Sequence, residues 1–547
     1  MDGLMMDYQL TLPAMMRRAE TFFARKEIVT RLPDGHFHRY TYADFVRRAK
    51  KLAVALRELG IRPGDRVATL CWNHYQHLEA YFGIPAVGAI LHTLNLRLHP
   101  DDLTYIVNHA EDRFLLIDQS LLPLLEAFRS RVHLERVVVI SEDGEAPEGM
   151  LEYEDVLEAA DESTFHYSDP NERQAAAMCY TSGTTGKPKG VVYSHRALVL
   201  HSMLSAMVDT LALCESDVIL PVVPMFHANA WGLPFTAVLV GAKLVFPGPH
   251  LDARSLLEAL EAERVTLTAG VPTIWLGVLQ TLDEHPGAYD LSSLRGLVVG
   301  GSAAPKALIQ GFQERHGLKV IHAWGMTEMT PLGTVANLTS ELRQAPAEVQ
   351  LDYRAKQGLP VPFVEIRARG DRGFVPWDGR SMGELEVRGP CVARAYYNAP
   401  EAADRFTEDG WFRTGDIVTI ESHGYIEIHD RSKDVIKSGG EWISSVALEN
   451  ALMSHPAVAE AAVIAVSHPK WQERPLAVVV LKEGHTVTAE ELRAHLRPHF
   501  PKWWLPDAIE FVETIPKTSV GKFRKSALRQ QFREYQLSAD RETSEDE

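Results

Sequence analysis

The sequence predicts an α/β protein with parallel sheets, followed by a small antiparallel barrel or sheet and then by an α+β module. Three observations predict this fold class. Short apolar runs alternate with helical periodicities over most of the chain, which is typical of parallel strands covered by helices on both faces. From about Gly358, short strands are separated by turns rich in Gly, Pro and Asp. Near Asp430 a third pattern begins, which favours an independent α+β module.

The individual elements follow from these periodicities in chain order. Before residue 180 the apolar runs predict strands at 66–71, 114–118 and 136–140, with helices at 75–87 and 121–128. Residues 191–206 have a helix-like pattern. Strands are then expected at 218–223, 243–246 and 265–269, with helices near 231–240 and at 255–263. The C-terminal part predicts strands at 383–387, 460–466 and 475–481, a helix at 446–453, and a helix with a capping box from Thr488 to Glu491.

Composition restricts the class of protein. The chain has 547 residues, of which 46% are hydrophobic and 24% charged, as expected for a soluble globular protein with more than one core. The formal net charge of −17 argues against nucleic-acid binding. The four cysteines (Cys71, Cys179, Cys214 and Cys391) have no C-x-x-C spacing, so we expect neither a disulfide framework nor a zinc site, and a reducing cytoplasm suits them.

Two further absences concern targeting and membranes. The first residues lack the basic and apolar regions of a signal peptide. The longest uncharged stretch lies between Asp217 and Lys243 and is interrupted by prolines and glycine, so it predicts strand, loop and helix rather than a membrane span. We therefore expect no transmembrane segment, and any membrane contact is expected to be peripheral.

The most informative motif is the segment Tyr180-Thr-Ser-Gly-Thr-Thr-Gly-Lys-Pro-Lys-Gly190. Its glycines permit tight turns, and its hydroxyls and lysines suit phosphate oxygens. It is not the common G-x-x-x-x-G-K-[ST] loop, because Pro188 holds the position of the second glycine. The alternative is a flexible linker, which the flanking apolar run and helix-like run argue against. The residues predicted to hold phosphate are Thr181, Ser182, Gly183, Thr184, Thr185, Gly186 and Lys189.

This loop resembles the signature of the adenylate-forming superfamily, which includes acyl-CoA synthetases, luciferases and peptide-synthetase adenylation domains. Further segments agree in the same order, namely 300–305, 321–329, 414–416, 430–444 and 516–522. Within the superfamily the chain is most similar to bacterial long-chain fatty acyl-CoA synthetases, above all at 223–231 and 438–444.

The resemblance implies a nucleotide site built from several of these segments. Thr327 would contact the α-phosphate, and Glu328 would hold Mg²⁺, together with Thr181; a hard cation prefers such oxygen ligands. Asp416 and Arg431 would meet the ribose. The residues expected beside adenine and elsewhere along the nucleotide are Gly301, Ser302, Ala303, His322, Ala323, Trp324 and Lys433.

Two segments are implied to act in turn on the acyl group. Lys522 in Pro516-Lys-Thr-Ser-Val-Gly-Lys522 resembles the family's catalytic lysine. Asp430 matches the family's hinge, about which a small C-terminal domain rotates. The residues implied to reach the CoA arm after that rotation are Lys437, Gly439, Gly440, Glu441 and Trp442.

The acyl substrate is argued partly from an absence. Between Asp217 and Asp252 the sequence contains no carboxylate, and an amino-acid substrate would bring a buried ammonium that needs one. An apolar acid is therefore favoured. His227 is a candidate to orient its carboxylate, with a structural histidine as the alternative, and Trp231 either lines or blocks an acyl tunnel.

These observations predict the following organisation and function. Residues 1–429 would form a large domain of two parallel-sheet subdomains and a small β-barrel, 430–537 a small mobile lid, and 538–547 a disordered acidic tail. The protein would use ATP, CoA and Mg²⁺ to convert a free fatty acid to acyl-CoA, and the resemblance implies a homodimer. The alternatives are a ligase for medium-chain or aromatic acids, a ligase that loads a carrier protein, and a non-catalytic module that binds ATP or acyl-adenylate.

Overall fold

The structure is a computed structural model that describes residues 1, 3–181, 187–439, 441–517, 523–533 and 535. The chain divides into two compact units. The first contains Met1–Glu365 and Arg388–Phe412, and the second contains Ile366–Val387 and Arg413–Glu547. Among the described residues, no helix combines the length and the apolar character that crossing a bilayer requires.

The helices and strands of the first unit run in the order α1 (Leu12–Phe22), β1 (Glu27–Arg31), β2 (Phe37–Thr41), α2 (Tyr42–Glu58), β3 (Arg66–Leu70), α3 (Tyr75–Ala86), β4 (Ile90–Thr93), α4 (Pro100–Ala110), β5 (Asp112–Asp118), α5 (Leu122–Glu126), β6 (Arg136–Ile140), β7 (Leu151–Glu152), α6 (Tyr153–Ala159), β8 (Ala175–Tyr180), β9 (Gly190–Ser194), α7 (His195–Ala206), β10 (Val218–Pro221), α8 (Ala228–Trp231), α9 (Leu233–Val240), β11 (Lys243–Phe246), α10 (Ala253–Ala262), β12 (Leu267–Gly270), α11 (Pro272–Glu284), β13 (Gly296–Val299), α12 (Lys306–His316), β14 (Val320–Gly325), β15 (Leu332–Val335), α13 (Ala347–Ala355) and β16 (Leu359–Pro360).

The remaining elements belong mainly to the second unit, and the list is β17 (Glu365–Gly370), β18 (Gly373–Phe374), β19 (Gly383–Arg388), β20 (Phe412–Ile420), β21 (Ile426–Arg431), β22 (Ile436–Ser438), β23 (Glu441–Ile443), α14 (Ser445–Met453), β24 (Val458–His468), β25 (Gln472–Leu481), α15 (Ala489–Leu496), β26 (Ala508–Phe511) and α16 (Lys525–Gln531).

Two large sheets form the first unit. The nine-stranded sheet has the order β16-β15-β14-β13-β12-β10-β11-β1-β2, and its six central strands from β14 to β1 are parallel. The seven-stranded sheet has the order β7-β6-β5-β3-β4-β8-β9 and is parallel except for the β8–β9 pair. The predicted parallel sheets are therefore confirmed, and the carboxyl ends of their strands are where ligands of such folds gather.

The strand β9 corrects one prediction. Residues 191–206 were expected to be helical, but Val191, Val192 and Tyr193 pair antiparallel with β8. Two β-branched residues and an aromatic side chain suit a pleated strand better than a helix. The helix α7 starts only after Ser194, whose hydroxyl accepts a hydrogen bond from the amide of Ala197. The predicted phosphate segment is thus the loop of a β-hairpin and does not lead into a helix N-terminus.

The second unit contains two smaller sheets. The first has the order β18-β17-β19-β20-β21, and its β17–β18 and β20–β21 pairs are antiparallel. The second joins β23, β22, β25 and β24, with β26 added parallel to β25, and is flanked by α14, α15 and α16. The sheet of β22 to β26, together with its three helices, is the predicted C-terminal α+β module. Its capping box is present, since the Thr488 hydroxyl and the Glu491 carboxylate each accept from the other residue's amide. The domain boundary expected at Asp430 stays a prediction.

Candidate functional site

The phosphate segment is held at its base by the hairpin. Tyr180 pairs with Gly190 in the ladder, and the amide of Thr181 donates to the carbonyl of Lys189 at 3.0 Å. The amide of Lys189 donates in return to the Thr181 hydroxyl at 3.1 Å. A Cβ on Gly190 would lie 3.0 Å from the Tyr180 ring, so a larger residue at this position would displace the ring.

Five of the predicted phosphate ligands lie between these anchors and outside the described residues; they are Ser182, Gly183, Thr184, Thr185 and Gly186. Lys187 lies within the described part of the hairpin, and its Nζ is 5.0 Å from the centre of the Tyr105 ring. This cation–π contact places the first lysine of the motif against α4.

Glu328 lies in a single 3₁₀ turn, Thr327–Met329, directly after β14. Its side chain is buried, and its Oε1 accepts a hydrogen bond of 2.5 Å from the hydroxyl of Tyr396. The hydroxyl of Tyr193 on β9 donates to the carbonyl of Thr327 at 2.7 Å. The Nζ of Lys189 lies 6.0 Å from the ring of Tyr396. The hairpin and the Thr-Glu turn, predicted separately, are therefore brought together through two tyrosines.

The oxygen donors of the two predicted metal ligands, Glu328 and Thr181, are of a kind that fits Mg²⁺. Glu328 supplies a carboxylate, which the hydroxyl of Tyr396 orients. Thr181 supplies a hydroxyl, whose oxygen accepts a hydrogen bond from the amide of Lys189. Carboxylate and hydroxyl oxygens are the ligands that Mg²⁺ prefers, alongside substrate phosphates. A cleft of about 510 Å³ is lined by Tyr193, Tyr396 and their neighbours.

A glycine turn and His322 form the predicted adenine side. Gly301 follows β13 with φ +79°, a conformation that glycine adopts without strain. The Nε2 of His322 accepts from the amide of Ala304 at 3.2 Å, so its Nδ1 carries the proton and donates to the carbonyl of Ala355 at 3.0 Å. Burial lowers the pKa of His322 to about 4. The side chain of His322 thus supports the turn that contains Ser302 and Ala303.

Two tryptophans are packed against glycines. A Cβ on Gly333 would lie 2.6 Å from the ring of Trp324, and a Cβ on Gly300 would lie 3.1 Å from the ring of Trp231. Trp324 is almost fully buried and follows Ala323 in β14. Both indoles therefore lie at the carboxyl ends of adjacent strands, where the sequence expected nucleotide and acyl contacts.

The predicted acyl segment contains a left-handed turn that the sequence did not predict. The residues from Ala228 to Trp231 have φ values of 46°, 54°, 51° and 55°, and Gly232 follows with φ +72°. Left-handed backbone costs L-residues roughly 1–2 kcal/mol each, and such strain is typical of functional sites. His227 precedes the turn and is half-buried, with its amide donating to the carbonyl of Pro224 at 3.0 Å.

The second unit contains the predicted ribose residues and the predicted hinge. Asp416 and Arg431 face each other across the β20–β21 pair, with Arg431 Nε 3.0 Å from Asp416 Oδ1. Asp430 is buried, and its Oδ2 accepts from the amide and the hydroxyl of Ser445 at 2.6 and 2.5 Å. Burial raises the pKa of Asp430, although the charge of Lys525 and the Ser445 bonds act in the opposite direction.

The predicted CoA segment forms a tight hairpin. Lys437 pairs with Trp442 across β22 and β23, and its Nζ lies 5.8 Å from the Trp442 ring. Gly439 has φ +60°, and a Cβ there would lie 2.8 Å from the ring of Trp471. Glu441 begins β23. Burial lowers the pKa of Lys433, whereas Gly440 and Lys522 lie outside the described residues.

Sequence reasoning missed three residues that organise these segments, namely Tyr193, Tyr396 and Ser445. Tyr193 stood inside a predicted helix, so no contact to the Thr-Glu turn was expected. Tyr396 lies in Ala395-Tyr-Tyr-Asn398, an aromatic pair beside a turn, which was the available signal. Ser445 follows another serine before a helical run, a pattern that indicates only a helix cap.

Comparison with known proteins places the chain in a family. The model of the AMP-binding enzymes matches residues 16–397, and that of the AMP-binding enzyme C-terminal domain matches residues 447–522. A long-chain-fatty-acid–CoA ligase of Thermus thermophilus is 54% identical over 97% of both chains. A medium-chain-fatty-acid–CoA ligase of Ectopseudomonas oleovorans is 41% identical over 97% of both. Among solved structures, the anthranilate CoA ligase AuaEII with anthranoyl-AMP has a TM-score of 0.83 and 28% identity, over 96% of this chain and 98% of that one.

Proposed function

Because this chain belongs to the family of AMP-binding enzymes, we propose that it is an AMP-forming fatty acid:CoA ligase specific for long-chain acids. The observation that carries the proposal is its 54% identity with a long-chain-fatty-acid–CoA ligase over 97% of both chains. The bonds from Tyr193 to the Thr327 carbonyl and from Tyr396 to the Glu328 carboxylate support the same activity.

The first half-reaction activates the acid. One carboxylate oxygen attacks the α-phosphorus of ATP, the bond to the β-phosphate oxygen breaks, and acyl-AMP and pyrophosphate form. Catalysis of such steps is mainly positioning and charge stabilisation. In this proposal Lys522 neutralises charge between the carboxylate and the α-phosphate, Thr327 contacts the α-phosphate, and His227 orients the acid.

In this proposal each part of the nucleotide has its own binding residues. Trp324 would stack on adenine against the turn of Gly301, Ser302 and Ala303, and Asp416 and Arg431 would bind the ribose. Glu328 and Thr181 would hold Mg²⁺, which supplies positive charge to the pyrophosphate oxygens. The hairpin loop and Lys189 would bind the same oxygens through N–H, hydroxyl and ammonium groups.

The second half-reaction forms the thioester. The CoA thiol loses its proton and attacks the acyl carbonyl, and AMP leaves. The family resemblance implies that residues after Asp430 rotate between the two steps, which withdraws Lys522 and presents Gly439, Gly440, Glu441 and Trp442 to the CoA arm. One small domain would thereby serve both half-reactions.

The contacts of the flanking acids support an apolar acid over an amino acid. Asp217 forms a 2.7 Å ion pair with Arg295 and accepts from the Thr266 hydroxyl. Asp252 accepts from the amide of Ser255 at the start of α10. Both carboxylates are therefore engaged, and the segment between them contributes buried apolar side chains such as Phe235. An unpaired substrate ammonium would be costly there.

The relative from Ectopseudomonas oleovorans, at 41% identity, favours medium-chain acids as the second candidate. In either case the proposal includes Mg²⁺ as the cofactor, a homodimer and a cytoplasmic location, with peripheral contact to membranes where free fatty acids collect.

The proposal is tested by pyrophosphate release from ATP with free acids from acetate to palmitate and with benzoate. Each acid is assayed with and without CoA, for the wild type and for Lys522→Ala. We expect release to rise with chain length, to need CoA for turnover, and to fall roughly 10²–10³-fold in the variant.

Other outcomes would change the assignment. A maximum at octanoate or with benzoate would favour the medium-chain or aromatic alternative. Turnover with a carrier-protein thiol in place of CoA would indicate a loading enzyme. ATP binding without release for any acid would contradict the enzyme and leave a nucleotide-binding module.

A further inference from the structure

A buried lysine in the second unit has contacts that the proposed chemistry does not explain. Lys525 begins α16 and is only 9% exposed. Its Nζ lies 2.6 Å from Oε1 of Glu449 and donates to the hydroxyl of Ser445 at 2.6 Å. Glu449 is also buried, and the same oxygen accepts from the amide of Val463 at 2.7 Å. Burying such a pair is expensive, and the fold does so only with excellent geometry.

The same serine links Lys525 to the predicted hinge. The hydroxyl and the amide of Ser445 both donate to Oδ2 of Asp430. The Oδ1 of Asp430 accepts from the amide of Arg431 at 2.8 Å. A continuous chain of hydrogen bonds therefore runs from the end of β21 through the start of α14 to the start of α16.

Lys525 also lies at the base of the segment that contains Lys522. Lys517 and Phe523 form a β-bridge on either side of residues 518–522. The amide of Arg524 donates to the carbonyl of Pro516 at 2.7 Å, and Lys525 is the next residue. Lys525 is the third residue after Lys522 along the chain. Residues 516 and 517 are thus joined to residues 523 and 524 by backbone contacts, and the next residue, Lys525, is linked to the Asp430 carboxylate through Ser445.

We propose that Lys525 is a positioning residue for the acid-activating step, which fixes the segment containing Lys522 relative to Asp430 through Ser445 and Glu449. The inference rests on the proposed function, in which Lys522 acts on the carboxylate and the α-phosphate. Packing alone accounts poorly for a lysine here, since Leu528 already anchors α16 in the apolar core of this module. Small displacements of a positioned group reduce rates about 10²-fold.

The test separates the two half-reactions. Adenylation is measured as acid-dependent exchange of pyrophosphate into ATP, and thioester formation is measured in a single turnover from supplied acyl-AMP and CoA. For Lys525→Met we expect the maximal exchange rate to fall about 10–100-fold with little change in the KM for ATP. The single-turnover rate should stay within about threefold, because Lys522 takes no part in that step.

Matched variants control for folding. Lys482→Met replaces an exposed lysine of the same module and should behave as the wild type. Lys525→Met combined with Glu449→Gln removes both charges of the pair, so that Glu449 is not left as an unpaired buried charge. Lys525→Arg keeps the positive charge, so its exchange rate should be higher than that of Lys525→Met. Adding Lys525→Met to Lys522→Ala should cost nothing further, since residues acting as one unit are not additive.

Several results would overturn the inference. Exchange at the wild-type rate in Lys525→Met would do so, and so would an equal fall in both half-reactions, which indicates a merely structural role. If Lys525→Met lacks a cooperative unfolding transition in urea, Ser445→Ala decides, with an expected tenfold slower exchange; an unchanged rate contradicts the proposal. Absence of exchange in the wild type with every acid would instead reject the proposed function, and this inference with it.

Discussion

Glu328 is oriented by a residue 68 positions further along the chain, Tyr396. The 2.5 Å bond from a phenol hydroxyl to a buried carboxylate oxygen restricts the rotation of the glutamate side chain and leaves its second oxygen to other partners. Residues that hold a metal ligand in this way tune metal affinity without touching the ion. Tyr396 is thus placed to set how well Glu328 serves Mg²⁺ in the proposed reaction.

The first prediction concerns this hydroxyl. In Tyr396→Phe we expect the Mg²⁺ concentration for half-maximal pyrophosphate release to rise roughly tenfold. The free energy of unfolding should fall by about 2 kcal/mol, since a bond to a charged group is lost. A Mg²⁺ titration of the initial rate and urea unfolding measure the two effects.

The adjacent Tyr397 provides the control. Its ring packs edge-on against His109 at 5.7 Å between centroids, so Tyr397→Phe keeps the ring contact and should match the wild type in the Mg²⁺ titration. If Tyr396→Phe and Tyr397→Phe need the same Mg²⁺ concentration, the hydrogen bond from Tyr396 to Glu328 does not affect Mg²⁺ use.

Single residues also show where the sequence was sufficient and where it was not. The family resemblance alone implied a role for Thr327 and Glu328; the structure has them in a 3₁₀ turn after β14, and their role stays a prediction. His322 was implied to lie along the nucleotide; both of its ring nitrogens bind backbone groups, and its place beside the nucleotide stays a prediction. Tyr396 was missed because the aromatic pair at 396–397 does not indicate which distant carboxylate it contacts.

At the scale of elements, the β14–β15 pair shows how two strands shape the predicted adenine pocket. Trp324 and Thr334 are opposite each other in the ladder, and Gly333 lies beneath the indole. The glycine leaves the space that the ring occupies. The position of the ring is therefore determined by the neighbouring strand as well as by its own.

The second prediction follows from that contact. In Gly333→Ala the new methyl group would lie 2.6 Å from the Trp324 ring and 2.9 Å from Met329, so the ring has to move. We expect a loss of about 1–3 kcal/mol in the free energy of unfolding and weaker ATP binding, measured by titration calorimetry.

Gly277→Ala serves as the reference for this change. Gly277 lies inside α11, and a Cβ there meets no atom within 4 Å. Alanine in a helix interior should stabilise the protein by roughly 0.5–1 kcal/mol and leave ATP affinity unaltered. Unchanged ATP affinity in both variants would show that the contact between Gly333 and the Trp324 ring does not affect nucleotide binding.

Helices and strands were predicted correctly where the local hydrophobic periodicity determines the structure. The prediction failed where strand pairing or a strained backbone determines it. The strands β6 and β11 were predicted with their observed bounds because each is a short apolar run between polar turns. The strand β9 was taken for helix, since partners on β8 are invisible in the local pattern. The left-handed turn at Ala228–Trp231 was unforeseen because one asparagine is its sole compositional signal.

At the scale of the whole molecule, buried neutral histidines connect distant segments of the first unit. His195 accepts from the amide of Leu12, His201 from that of Leu332, and His322 from that of Ala304. Burial lowers the pKa of each to about 4. Protonation would place a charge in the core and remove an acceptor from a buried amide.

The third prediction is the pH dependence that results. The unfolded chain binds protons to these histidines near pH 6.5, whereas the folded protein does so only near pH 4. Their stabilisation is therefore complete above about pH 6.5 and is lost as the pH falls to about 4, on the order of 3 kcal/mol for each histidine. Urea unfolding at intervals across this range measures the slope.

A glutamine variant tests the assignment. His201→Gln keeps an acceptor for the Leu332 amide but cannot titrate, so the loss of stability between pH 6.5 and 4 should be about a third smaller for this set of three. His485→Gln changes an exposed residue and should keep the full slope. A slope that is the same in all three proteins would assign the acid sensitivity to other groups.

If the turn from Ala228 to Trp231 lines the proposed acyl site, its handedness limits how this protein can be re-engineered for other acids. Pocket redesign ordinarily exchanges small side chains for valine or isoleucine, but β-branched residues are genuine outliers at positive φ. The residues tolerated at positions 228 and 230 are therefore glycine, alanine, asparagine and aspartate, even where the bound acid leaves room for a larger side chain. Selectivity in this protein would have to be altered through right-handed neighbours such as α9, and directed-evolution libraries should be diversified there.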